Sequence, residues 1–151
     1  MKNEAESCTI LKNSINAIGG IAIKIPDPTN TFQKTIARPF DLFGAFNNAP
    51  WYCEVKFQKG IKSFNLQRIE DHQIEFLCEF KTKINNSHCW IVLAIKIGRG
   101  DNRFYIFSDP FMIKERRDKK ENFIKKELDL LPYFSVKKGL IDLTNYQGDV
   151  K

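Results

Sequence analysis

Two apolar strand-forming stretches on either side of a turn are the feature that most constrains the fold of this chain. They cover residues 39–46 and 50–57, and residues 46–49 connect them. Successive side chains of a strand point to opposite faces, so the second stretch, PWYCEVKF, has one wholly apolar face. That face consists of Trp51, Cys53, Val55 and Phe57. The pattern predicts an antiparallel hairpin with one face in the core.

Further helices and strands are predicted around this hairpin. Residues 4–18 have apolar side chains at helical spacing and end at Gly19-Gly20, and GIAIKIPDP follows as a short strand. Residues 65–84 are expected to form one long amphipathic helix, and HCWIVLAIKI and RFYIFS to form two more strands, the first of them central. The order helix, three strands, helix, two strands indicates a mixed α/β layer architecture.

The length of 151 residues fits a single domain. We expect its core in residues 4–108 and a peripheral part in residues 109–151, with short charged helices and an end near the surface. Four cysteines without paired spacing indicate reduced thiols, and no leader or membrane-spanning stretch is recognisable. A cytoplasmic location is therefore expected. The formal net charge of +6 favours a polyanionic partner such as nucleic acid.

Three charged residues lie within the predicted hairpin. Glu54 and Lys56 share the face opposite the apolar one, and Asp41 on the neighbouring strand joins them if the register allows. Two adjacent carboxylates repel each other, and a divalent cation with oxygen ligands, such as Mg²⁺, relieves that repulsion. The carbonyl of Val55 could add another oxygen. The alternative is a solvent-facing strand on which Glu54 and Lys56 form an ordinary surface ion pair.

The stretch RPFDLFGAFNNAPWYCEVKFQKGIKSFNLQRIEDHQIEFL resembles the core of the PD-(D/E)xK nuclease superfamily, and within it the RecU-like Holliday junction resolvases. The charged pattern of Asp41, Glu54 and Lys56 is similar to the superfamily signature, and SFNLQRIEDHQIEFL is similar to the segment that follows it. The resemblance spans roughly residues 4–108. It implies a restriction-endonuclease-like three-layer fold, with a mixed five-stranded sheet flanked by helices.

The resemblance also implies roles for individual residues. Asp41 and Glu54 would bind Mg²⁺, for which Mn²⁺ would substitute, together with the carbonyl of Val55, and Lys56 would be the catalytic lysine. The family places an acidic residue on the first helix. Glu6 fits the equivalent helix slightly better, whereas Glu4 lies on the apolar stripe, where a carboxylate needs a reason to be buried.

The predicted second helix adds further candidates. Gln73 lies in its apolar stripe, where an amide costs stability unless its hydrogen bonds are met, so either a site-facing role or a bond to a strand edge is expected. His72 flanks the stripe and is expected to be structural or to contact the DNA backbone. The candidates for DNA contact are Lys24, Lys34, Arg38, Lys59, Lys62, Gln67, Arg68 and His72.

The function that the resemblance implies is Mg²⁺-dependent resolution of Holliday junctions by a homodimer, in DNA recombination and repair. Two alternatives stay open. One is an endonuclease of the same superfamily that cuts linear duplex or single-stranded DNA, and the other is a DNA-binding accessory protein with a vestigial site. The chain departs from the RecU-like pattern in residues 26–38, which are short where those resolvases have a long stalk.

Overall fold

The computed structural model describes residues 1–26 and 37–147, which form seven strands and four α-helices. The elements are α1 (Glu4–Ala17), β1 (Ile21–Lys24), β2 (Leu42–Phe46), β3 (Ala49–Lys59), a 3₁₀ turn (Leu66–Arg68), α2 (Asp71–Lys83), β4 (His88–Lys96), β5 (Asn102–Phe107), α3 (Pro110–Asp118), α4 (Lys125–Leu130), β6 (Phe134–Lys137) and β7 (Leu140–Ile141). Within these ranges no helix has both the length and the apolar character needed to cross a membrane.

The strands form one mixed sheet in the order β1-β2-β3-β4-β5-β6-β7. Only β3 and β4 pair in parallel among the described strands, and the connection between them contains α2. Strand β4 is central and buried along almost its whole length, as its apolar sequence predicts. The expectation of five strands was wrong, because β6 and β7 extend the sheet beyond β5.

Helices cover both faces of the sheet. The core on one face joins α1 to Trp51, Cys53 and Val55 of β3. The core on the other face joins α2 and α3 to the odd-numbered residues of β4, such as Ile91 and Leu93. Alternation along the strands therefore gives each face its own apolar cluster, and the predicted mixed α/β layer architecture is confirmed.

The hairpin forms as predicted, with a tighter turn. Asn47 and Asn48 have φ of 48° and 59°, and the pairing of Phe46 with Ala49 leaves only these two residues in the turn. A two-residue turn with positive φ at both positions matches the right-handed twist of the strands, and asparagine tolerates this conformation better than most residues. The turn fixes the register of β2 against β3.

Two predicted elements differ from the structure. The expected helix over residues 65–84 is broken, because Ile69 and Glu70 are extended and α2 begins at Asp71. The C-terminal part contributes to the core, since Ile141 and Leu143 are buried in the cluster around α1. The Ser14 hydroxyl of α1 accepts a 2.9 Å hydrogen bond from the Ile141 backbone N–H, which ties β7 to that helix.

Gly44 in β2 lies so close to β1 that a side chain at this position would clash with the neighbouring backbone. Its φ is +156°, and a Cβ atom there would lie 1.8 Å from the carbonyl oxygen of Ile21 on β1. We expect Gly44→Ala to lower the free energy of unfolding by about 3 kcal/mol, since β1 must move or the backbone must distort. Urea unfolding measures this change.

Gly60→Ala is the matched control, because Gly60 has φ +75° but a Cβ atom added there would meet no atom within 4 Å beyond Gly60 and its two chain neighbours. This control should cost only the backbone strain, about 1 kcal/mol. Equal losses in the two variants would show that the contact with β1 is not the cause.

Candidate active site

The register of the hairpin places Asp41 beside Glu54. Leu42 pairs with Cys53, so the residue before Leu42 lies across from the residue after Cys53. The backbone N–H of Asp41 donates to the Cys53 carbonyl at 3.0 Å, and its Oδ2 accepts a 2.8 Å hydrogen bond from the Val55 N–H. The Asp41 carboxylate thus accepts the Val55 N–H, which a backbone carbonyl would accept if the pairing of β2 with β3 continued.

Glu54 and Lys56 form a buried ion pair on the face opposite the apolar one. Nζ of Lys56 lies 2.6 Å from Oε1 of Glu54, and the side chains are 10% and 0% exposed, respectively. Within residues 1–26 and 37–147, Oε2 of Glu54 accepts no hydrogen bond although it is buried. A surface ion pair is therefore wrong for these residues, and one carboxylate oxygen is left with unmet bonding capacity.

Burial and neighbouring charges shift the pKa values of this pair. Burial, reinforced by the negative charge of Asp41, raises the pKa of Glu54 to about 8, and the opposing effect of Lys56 is smaller. Burial lowers the pKa of Lys56, but its bond to Glu54 and the other nearby carboxylates raise it more, so the net shift is upward. Lys56 therefore stays protonated at neutral pH, while Glu54 holds a proton more readily than an ordinary glutamate.

The first-helix acid near this cluster is Glu4. Burial and the charge of Asp41 raise the pKa of Glu4, whereas Lys56 and Arg68 lower it, which shows that all these groups are close. Glu6 lies 3.2 Å from the N-terminal amino group and is 40% exposed. Glu4, and not the slightly preferred Glu6, is therefore the first-helix acid beside the cluster, and a catalytic part of either residue stays a prediction. The positive charges of Lys56 and Arg68 stabilise the partly buried carboxylate of Glu4 on the apolar stripe.

Arg38 is the residue whose contact with the cluster was not foreseen. Its Nη2 lies 2.6 Å from Oδ1 of Asp41, three residues along the chain, and its side chain is 19% exposed. The Arg38 carbonyl lies 2.9 Å from Nε2 of His72, so the first turn of α2 is tied to the chain just before Asp41. The i, i+3 spacing of Arg38 and Asp41 was the available signal in the sequence.

Gln73 lies in the first turn of α2 and not in the middle of a longer helix. Its Oε1 accepts a 3.0 Å hydrogen bond from the Glu70 backbone N–H, which is a capping contact. Its side chain is buried. The hydrogen bond that the structure gives Gln73 therefore serves the start of α2, and its part in catalysis stays a prediction.

The other candidates for DNA contact lie around the hairpin and the start of α2. Lys24 pairs with Leu42 next to Asp41, while Lys59 and Lys62 are exposed at and beyond the end of β3. Arg68 donates from Nη2 to the Phe57 carbonyl at 2.9 Å. Gln67 donates to the Arg117 carbonyl at 2.8 Å, which holds α3. Lys34 lies outside the described residues.

The donor set can be tested for its fit to Mg²⁺. In the part of the chain that is described, no group of three His, Cys, Asp or Glu side chains is arranged to hold a metal ion. Mg²⁺ commonly uses only one or two carboxylates and keeps several waters. Asp41 and Glu54 provide two, and the Val55 carbonyl points to the same edge of β3 as its N–H, toward Asp41. The free Oε2 of Glu54 fits a cation, but Oδ1 of Asp41 is already paired with Arg38.

The sequence matches no protein-family model and no curated protein. The structure is similar to that of Hjc, a Holliday junction resolvase from the archaeal hyperthermophile Archaeoglobus fulgidus. The two chains are 19% identical, the similar region covers 78% of this chain and 84% of that chain, and the TM-score is 0.46. At this TM-score and identity, the similarity assigns no activity to the present chain.

Proposed function

We propose that this protein is a Mg²⁺-dependent, structure-selective DNA endonuclease that cuts branched DNA, with four-way junctions as its main substrate. The observation that carries the proposal is the buried cluster of Asp41, Glu54 and Lys56, in which Oε2 of Glu54 has no hydrogen-bond donor among the described residues. The net charge of +6 supports a polyanionic substrate. Action as a homodimer, with one site for each of two opposed strands, is part of the proposal.

Asp41, Glu54 and the Val55 carbonyl would hold the metal ion, and Mn²⁺ would substitute for Mg²⁺. When bound, the ion would polarise a phosphoryl oxygen and lower the pKa of a bound water. The Val55 N–H orients the Asp41 carboxylate, and Glu54 orients the ammonium group of Lys56. Because Lys56 stays protonated, it can donate a hydrogen bond where negative charge develops on the phosphate. Glu4 adds a carboxylate whose charge acts on Lys56.

A digest of matched DNA substrates tests this proposal. A synthetic four-way junction, a flap, a linear duplex of the same sequence and the single strands are each incubated with the protein and Mg²⁺. We expect the junction to be cut fastest, with paired cuts in opposed strands. Equal cutting of all four substrates would refute selectivity for branched DNA, although the nuclease chemistry would stand.

The second candidate is a nuclease of the same chemistry that acts on linear or single-stranded DNA. The shortness of residues 26–38 favours it, because a stalk that enters a junction needs a longer segment. In the same digest, this candidate predicts that the linear duplex or the single strands are cut at least as fast as the junction.

A third candidate is a DNA-binding accessory protein with a vestigial site. The pairing of both oxygens of Asp41, with Arg38 and with the Val55 N–H, favours it. This candidate predicts that Mg²⁺ and Mn²⁺ change neither the DNA affinity nor the thermal stability of the protein.

A further inference from the structure

Arg38 forms an ion pair with Oδ1 of Asp41, the carboxylate oxygen that would otherwise be available to a metal ion. The Asp41 carboxylate is buried, its Oδ2 accepts the Val55 N–H, and its Oδ1 lies 2.6 Å from Nη2 of Arg38. A second cation at Oδ1 would lie close to the guanidinium in a poorly solvated place, where like charges repel strongly. Mg²⁺ and the Arg38 side chain are therefore competitors for this carboxylate.

The backbone of Arg38 is anchored separately from its guanidinium. Its carbonyl is fixed by the ring of His72 at 2.9 Å, so the backbone is anchored to the start of α2. The Arg38 side chain is 19% exposed, so part of it faces solvent. The exchange inferred below takes the guanidinium from Asp41 by rotation about the side-chain bonds, while the backbone stays anchored at His72.

We infer that Arg38 is exchanged between two partners: the Asp41 carboxylate in the metal-free protein and a DNA phosphate once the metal ion has bound Asp41. The planar guanidinium fork suits a carboxylate and a phosphate equally well, which makes it able to serve both states. The inference rests on the proposed function, because it takes the metal ion and the DNA from there.

The exchange makes the binding of metal and of DNA mutually favourable. Metal binding must displace Arg38, so the apparent Kd for the metal ion is the intrinsic Kd divided by the fraction of molecules in which the pair is open. DNA that binds the released guanidinium restores the lost metal affinity. By linkage, the metal ion then strengthens DNA binding by the same factor. Arg38 would thereby keep the metal site weak until DNA is present.

Calorimetric titration with Mg²⁺ in the absence of DNA is the first test. We expect Arg38→Gln to bind Mg²⁺ about tenfold more tightly than the wild type, because the competitor is removed. Arg99→Gln is the matched control, since Arg99 is exposed in the loop between β4 and β5 and its removal changes the net charge equally. Its Mg²⁺ affinity should stay within about twofold of the wild type.

Loss of Arg38 leaves the buried Asp41 without its cation, so Arg38→Gln could unfold more easily. Arg38→Lys keeps a positive charge but lacks the fork, and it provides the second measurement. We expect its Mg²⁺ affinity to lie between those of the wild type and Arg38→Gln. In thermal unfolding, saturating Mg²⁺ should raise the Tm of both variants more than that of the wild type.

The second test is the DNA affinity with and without a metal ion, with Ca²⁺ used as a hard cation alongside Mg²⁺. In the wild type and in Arg99→Gln, the metal ion should tighten binding of a labelled four-way junction about tenfold. In Arg38→Gln, the tightening should be clearly smaller, because only the direct contact of the ion with a phosphate remains.

The outcomes separate this inference from the proposed function. Equal Mg²⁺ affinities of the wild type, Arg38→Gln and Arg38→Lys would overturn the exchange, even if all three proteins cut DNA. The same conclusion would follow if the metal ion strengthened DNA binding of Arg38→Gln as much as that of the wild type. If none of the proteins bound Mg²⁺ with or without DNA, the metal-dependent function itself would fail, and the exchange with it.

Discussion

Replacement of Lys56 by alanine should reduce the rate constant of junction cleavage by about a thousandfold while leaving the DNA affinity within about twofold of the wild type. The ammonium group of Lys56 is the protonated donor next to the two carboxylates, held 2.6 Å from Oε1 of Glu54. Its removal takes away stabilisation of negative charge that develops during hydrolysis, which affects the transition state more than the bound substrate. Single-turnover cleavage and a filter-binding or anisotropy measurement give the two quantities.

Lys137→Ala is the matched control for this variant, because Lys137 is an exposed strand lysine on β6, outside the cluster. It should cleave at the rate of the wild type. A Lys56→Ala protein that binds and cuts as well as this control would remove Lys56 from the mechanism. Loss of binding together with cleavage would instead assign Lys56 to DNA contact.

Replacement of Glu54 by glutamine should change how stability depends on pH in the metal-free protein. The folded-state pKa of Glu54 is about 8, against 4.5 for the free side chain, because of burial and the charge of Asp41. Between these values the folded protein keeps a proton that the unfolded chain has released. The contribution of Glu54 to the free energy of unfolding therefore falls as the pH rises from 4.5 to about 8, and is constant outside this window.

Glutamine cannot titrate, so Glu54→Gln does not lose this contribution as the pH rises. The Tm of Glu54→Gln minus the Tm of the wild type should therefore increase with pH across this window and level off above it. The change corresponds to a few kcal/mol in the free energy of unfolding. Thermal unfolding in the presence of a chelator measures it, with Glu75→Gln, an exposed position on α2, as the control. A difference that is the same at every pH would show that Glu54 ionises in the folded protein as it does in solution.

The sequence predicts the strands of this fold well where alternation is strong. The apolar face of β3 and the continuous apolar run of β4 are local signals, and both strands lie where the patterns place them. The register that brings Asp41 beside Glu54 depends on the φ angles of Asn47 and Asn48. A four-residue connection and a two-residue turn are both compatible with the letters FNNA, so the sequence alone could not decide it.

Signals that depend on tertiary contacts were missed. The short strands β6 and β7 have no clear alternation. Strand β6 pairs with β5, and α1 provides a hydrogen bond and an apolar surface for Ile141 of β7. Helical periodicity continues through residues 65–84, and it did not reveal the extended Ile69 and Glu70.

The cluster itself was predicted in part. The types and spacing of Asp41, Glu54 and Lys56 predict a cluster, and the structure brings all three together. The choice between Glu4 and Glu6 depends on which side of α1 faces the sheet. The apolar stripe already placed Glu4 on that side, whereas the preference for Glu6 followed the equivalent helix of the family.

The pairing of Arg38 with Asp41 was hidden, because an arginine just before a hairpin also suits a DNA contact. The position of Arg38 is set just before Asp41, where the Arg38 carbonyl meets the ring of His72. That contact is a tertiary feature, and the i, i+3 spacing of Arg38 and Asp41 permits the ion pair without distinguishing it from a DNA contact.

Cleavage of a synthetic four-way junction by the wild type and by Asp41→Asn, each in Mg²⁺ and in excess chelator, decides whether the cluster is a metal-dependent nuclease site. We expect paired cuts by the wild type in Mg²⁺, and no cuts in chelator or by Asp41→Asn. An intact junction with the wild type in both Mg²⁺ and Mn²⁺, where an unrelated resolvase cuts it under the same conditions, would contradict this assignment, as would cleavage that persists in chelator.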